Sequence, residues 1–103
     1  MPETERKTPE MTDQIRVPEH VVYRRFAAET VVLNLETGQY HGLNGTAGRM
    51  LEELDGAGTL GEAAAVLAGD LDVPREQLDR DLRELCASLA ERGLVEVGAT
   101  NGH

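Results

Sequence analysis

The chain has 103 residues, enough for one domain with a modest core. Its 19 acidic and 10 basic residues leave a formal charge of −9, which opposes binding to a polyanion such as nucleic acid, where phosphate neutralisation supplies much of the affinity. No apolar run approaches the ~18 residues of a membrane span, the polar N-terminus has no apolar segment typical of a secretory signal, and the one cysteine, Cys86, permits no internal disulfide; these features point to the cytoplasm.

Residues 1–15 are polar, contain Pro2 and Pro9 and lack periodicity, which predicts a disordered tail. Residues 98–103 read as a second loose tail, leaving 16–97 as the folded domain. The first expected strand is Val21 to Phe26, joined by Ala27-Ala28-Glu29 to a second, β-branched strand from Thr30 to Leu35. Glu36-Thr37-Gly38 makes a short hairpin loop in which Gly38 can take positive φ, and Gln39 to Leu43 returns as a third, antiparallel strand.

Only helices follow. Asn44 is placed to cap the first, from Gly45 to about Leu54, whose stripe is Ala47, Met50, Leu51 and Leu54. Thr59-Leu60-Gly61-Glu62 has the capping-box pattern and opens a second helix to about Ala68. The third starts at Asp72-Val73-Pro74 and carries Leu78, Leu82, Leu85, Cys86 and Leu89 on one wide apolar face. Gly93 is its expected C-cap, and Leu94 to Val97 form a short apolar ending that folds back onto the core. The expected fold is α+β: a three-stranded antiparallel sheet followed by three helices, winged helix-turn-helix in character.

In that order the third strand lies at a sheet edge beside a helix. An edge strand offers N–H and C=O groups at alternate residues, which an extended peptide can satisfy whatever its sequence. Specificity then comes from side chains. The expected site is Gln39, Tyr40, His41, Gly42 and Leu43 on the strand, with Leu78, Asp81, Leu82, Leu85 and Cys86 on the third helix. Leu78, Leu82 and Cys86 are assigned to the ligand-facing flank, and Leu85 and Leu89 to the core. Proline at His41 is the sequence-based choice for removing an edge donor.

Each site residue has a plainer reading. Tyr40 and the leucines serve equally as core, Cys86 as a small buried hydrophobe, and Asp81 as a solvated face residue. Cys86 and His20, His41 and His103 lack the paired spacing of a zinc site, and nothing beside Cys86 completes a nucleophilic triad, so no metal, no cofactor and no catalytic role are expected. Other function classes fare worse. A winged-helix DNA-binding regulator is the alternative, but the third helix carries arginines 75, 80, 83 and 92 against acids 76, 79, 81, 84 and 91, without the basic bias of a groove reader. An acyl carrier needs a serine at a helix start, and the lone serine, Ser88, sits late in the third helix.

Several of these residues are similar in order and spacing to the PqqD-like leader-peptide recognition domains of ribosomally made, post-translationally modified peptide pathways. The resemblance covers roughly 16–97. It rests on Val32-Leu33, on Gly38-x-Tyr40-x-x-Leu43-Asn44-x-x-Ala47, on Leu54-Asp55-Gly56, and on Asp81-Leu82-x-x-Leu85-Cys86-x-x-Leu89-x-x-x-Gly93-Leu94. Within the family, Leu33-Asn34-x-x-Thr37-Gly38-x-Tyr40 followed by Leu43-Asn44 looks most like the stand-alone domain of lasso-peptide pathways. The resemblance implies a non-enzymatic adaptor. It would bind a precursor's leader as an added strand between the third strand and third helix, and present it to a transglutaminase-like leader protease and a cyclase. The acidic N-terminal tail and Cys86, where a larger aliphatic residue is more usual, depart from the family pattern.

Overall fold

The structure is a computed structural model that describes residues 9–98. Its elements are β1 (Gln14–Arg16), β2 (Val21–Arg25), β3 (Glu29–Asn34), β4 (Tyr40–Asn44), α1 (Gly45–Ala57), α2 (Leu60–Asp70), α3 (Arg75–Glu91) and β5 (Glu96–Gly98). Strands β2, β3 and β4 form an antiparallel sheet in that order, and the expected sheet followed by three helices is present. Alternation gives the sheet two faces. Val21, Thr30, Val32, Asn34 and Leu43 are buried on the inner face, whereas Val22, Leu33 and Tyr40 form a cross-strand row on the outer one. The hairpin between β3 and β4 is pinned by Asn34, whose Oδ1 accepts from the Glu36 and Thr37 amides at 2.9 and 3.3 Å, and Gly38 takes φ +79° there.

The three helices close over the inner face. Met50, Leu51 and Leu54 of α1, Leu60 and Leu67 of α2, and Leu78, Leu82 and Leu89 of α3 join Val32 and Leu43 in one core. Thr59 and Glu62 complete the expected capping box at α2. Helix α1 runs three residues past its expected end, to Ala57.

The N-terminal boundary needs correction. Residues 9–15, expected within a disordered tail, are tied to the domain. Pro9 is buried and its carbonyl accepts from Arg83 Nε at 3.0 Å. The carbonyls of Met11 and Asp13 accept from the Gly61 and Leu60 amides at 2.8 and 3.0 Å, and the Ile15 amide donates to Gly58 O at 2.8 Å. Strand β1 then pairs antiparallel with β5, Ile15 opposite Val97, and Arg16 bonds Glu96 at 2.9 Å. The driving force is burial of Ile15 from Gln14–Arg16 and of Leu94 and Val95 at the entry to β5. The remaining tail expectations, residues 1–8 and 99–103, lie outside the described residues.

Sheet and helix meet closely at Gly48 of α1. A β-carbon there would stand 2.2 Å from Thr30 Oγ1 and 2.7 Å from Thr30 Cβ. Thr30 is buried in a central strand, and its Cβ cannot move without its backbone. Alanine at Gly48 gains up to ~1 kcal/mol of helix propensity but meets an overpacking cost of about 1–3 kcal/mol. We expect Gly48→Ala to lower the unfolding free energy, while Gly56→Ala, facing open space in the same helix, raises it. Urea denaturation of the two variants checks the opposite signs.

Candidate functional site: an open sheet edge

Strand β4 is bonded on one side only. The Asn34 amide donates to Gln39 O at 2.9 Å, so Asn34 and Gln39 form a hydrogen-bonded pair. Pairing alternates along an antiparallel ladder. In the register Val32↔His41 and Thr30↔Leu43, His41 and Leu43 therefore direct their backbone groups at β3. Tyr40, Gly42 and Asn44 direct theirs outward. Among the described residues no strand covers that side. Asn44 both ends the strand and caps α1, its Oδ1 accepting from the Ala47 amide at 2.8 Å.

This parity moves the informative backbone position. His41, chosen from sequence as an edge donor, belongs to the ladder with β3. Gly42 belongs to the free edge. The side chains divide differently: Tyr40 is 73% exposed on the outer face, while His41 is half-buried on the inner face beside buried Leu43. Gln39 precedes β4 and is exposed, its amide bonded to Thr37 Oγ1 at 3.1 Å.

On α3 the structure divides the residues differently from the sequence assignment, except for Leu89, which is buried as expected. Leu78, Leu82 and Cys86 are fully buried with Leu89 and present no surface to a ligand in this structure. Leu85 is half-buried and sits on one side of that stripe, together with exposed Asp81. Arg83 lies on the other side, turned to Pro9. The wide apolar face named in the sequence is thus a core stripe with Leu85 at its rim, and the open flank of α3 is the Leu85–Asp81 side. Past the helix, Gly93 approaches the inner-face residue Asn34, its β-carbon position 3.9 Å from Asn34 Nδ2. The turn after α3 therefore lies near the hairpin where β4 begins.

Glu29 was read from sequence as part of a connection. It opens β3 instead, on the outer face, and its Oε1 lies 3.1 Å from where a Gly42 β-carbon would stand. The alternation Glu29, Val31, Leu33 is the signal that places it there. On the same face Val22, Phe26, Val31 and Leu33 line an open apolar hollow toward β2, away from the β4 edge.

The chemistry at hand is that of recognition. Burial, and secondarily the charge of Asp13, pushes the Cys86 thiol up to about 11, so it stays protonated at neutral pH. Partial burial, then the hydrogen bond its hydroxyl donates to Asp55 at 2.6 Å, raises Tyr23 above the ordinary phenol range. No cluster of three metal-ligating side chains occurs among the described residues, and no helix of theirs is long and apolar enough to cross a membrane.

Fold and edge together define a small domain of one three-stranded sheet, one two-stranded sheet and three helices, in which the β4 edge beside the helices is left open among the described residues. The family model described as coenzyme PQQ synthesis protein D (PqqD) matches residues 29–95, from β3 to the turn after α3, and the chain belongs to this family. Among solved structures it is similar to TbiB1 in complex with the TbiA(beta) leader peptide, at 30% identity and TM-score 0.73 over 82% of this chain and 98% of that one. It is also similar to a lasso peptide synthetase B1 complexed with the leader peptide, at 25% identity and TM-score 0.70 over 81% and 98%. The heterocyclase TruD matches at 22% identity and TM-score 0.60 over 88% of this chain and 12% of TruD, a likeness of fold alone. No curated protein matches the chain.

Two measurements test this geometry in the free protein. In hydrogen exchange, the His41 and Leu43 amides should be protected and those of Tyr40 and Gly42 should exchange fast; uniform protection along β4 would mean the edge is covered. Cys86 should react with a thiol reagent only at the rate of unfolding, at neutral pH and up to the range of its raised pKa.

Proposed function

We propose that this chain is a leader-peptide recognition element. It binds the leader of a ribosomally made precursor, of the lasso-peptide class, as an added strand on β4, and itself makes and breaks no bond. The observation that carries the reading is the unpaired edge at Tyr40 and Gly42, in a chain whose similar structures hold leader peptides. A guest strand would satisfy that edge through its backbone. Its inward side chains would meet His41, Leu43 and the Leu85–Asp81 flank of α3, and Tyr40 would pack on an outward one. The bound leader would then be presented to a leader protease and a cyclase, all in the cytoplasm.

The DNA-binding alternative is not favoured. Arg75 of α3 bonds Asp79 at 2.8 Å and Arg83 bonds the Pro9 carbonyl, so two of the helix's cations are engaged within the fold.

Titration of the full chain with the TbiA(beta) leader tests the proposal. Binding should slow exchange at the Tyr40 and Gly42 amides and leave His41 and Leu43 unchanged. Gly42→Pro removes an edge donor but no β3 ladder bond and should weaken binding about tenfold, near the upper value of one hydrogen bond. Leu85→Asp should weaken binding by a similar factor; because Leu85 packs half-buried against the core, urea denaturation first establishes that the variant is folded. Tight binding by both folded variants, or protection appearing elsewhere, would overturn the assignment.

A further inference from the structure

We propose that Glu29 and Gly42 form a subsite for a cationic side chain, which selects lysine or arginine at one outward-facing position of the guest strand. The inference rests on strand addition to β4 and goes beyond it to the chemistry of the guest. Gly42 faces the free edge, so for a guest added antiparallel to β4 the residue opposite it forms a hydrogen-bonded pair with it, at a Cα separation of about 5.5 Å. That residue's side chain projects on the outer face, the face of Glu29. Gly42 contributes no side chain, and the Glu29 carboxylate fills the vacated position, Oε1 lying 3.1 Å from where a β-carbon would be. Nothing therefore stands between the carboxylate and the guest side chain, and a lysine or arginine is long enough to reach it across β4.

The carboxylate is also uncommitted. Among the described residues Glu52, Glu53, Asp70, Asp79 and Glu96 each bond an arginine, whereas no ion pair or hydrogen bond of the Glu29 carboxylate is found. Arg24 shares the outer face but projects from β2, on the far side of Val31, while Glu29 leans toward β4. The chain's charge of −9 attracts basic peptides in general, but screening over about 8 Å at physiological salt leaves positional choice to the nearest carboxylate.

A displayed library of short random peptides, selected against the full chain, provides the test. Selected peptides should share a lysine or arginine at one position, and exchanging it for glutamate should cost about twofold to fivefold in affinity, the range of an exposed cross-strand charge pair. Glu29→Gln should flatten the preference and Glu29→Lys should turn it toward acidic residues at that position alone. If peptides bind and protect the Tyr40 and Gly42 amides, yet no position changes its charge preference in Glu29→Lys, the subsite is refuted while strand addition stands. If no selected peptide protects those two amides, strand addition fails and the subsite with it.

Discussion

One residue ends the sheet and begins the helices. Asn44 closes β4 with extended backbone, φ −67° and ψ 174°, and its side chain caps α1 one residue later. The chain has no loop at this point, so α1 must leave directly from the end of the last strand. It leaves on the inner side, where Gly48 lets it come against Thr30. Because α1 turns under the sheet rather than alongside it, no element among the described residues pairs with the outer side of β4. The open edge is a consequence of how the helices are attached.

An exposed edge invites unwanted pairing, and this one is blunted without being closed. It is five residues long, contains Gly42 and Asn44, which are poor strand formers, and belongs to an acidic chain that repels its own copies. These devices oppose association with another copy more than with an uncharged or basic peptide. The second small sheet shows the other solution to the same problem. Strands β1 and β5 are each three residues long, pair with one another, and bring the chain ends together over the α1–α2 connection.

Much of this was legible in the sequence because period and capping are local signals. Alternation in Thr30 to Leu35, the Asn44 cap and the Thr59–Glu62 box act within a few residues, and each element forms where they place it. Two things were not legible. Strands β1 and β5 are individually too short for a pattern and exist only through pairing across some 80 residues of chain. The flank of α3 was misassigned because five apolar positions spread too widely to show which rim faces solvent. The N-terminal segment decides this: Pro9 occupies the Arg83 side, and Leu85 is left at the opposite rim. Glu29 escaped notice because a residue at a strand's first position looks like the end of a loop.

The magnitudes say where affinity must come from. Three outward residues, Tyr40, Gly42 and Asn44, offer at most five backbone hydrogen bonds, the Asn44 carbonyl serving α1 as its cap, each worth about 0.5–1.5 kcal/mol net, or roughly 2.5–7.5 kcal/mol together. Ordering a disordered leader costs about 2–5 kcal/mol. Backbone pairing therefore roughly offsets the cost of straightening the guest and contributes little selectivity. The surplus must come from side chains, and the pleat presents two faces to different surroundings: His41 and Leu43 on the inner side, Tyr40 and the Glu29 carboxylate on the outer. Inward contacts bury area and can carry most of the affinity, while a solvent-exposed carboxylate adds little energy and much discrimination. A guest strand at a site so divided would have its register fixed, because a slip of one residue would exchange the two faces.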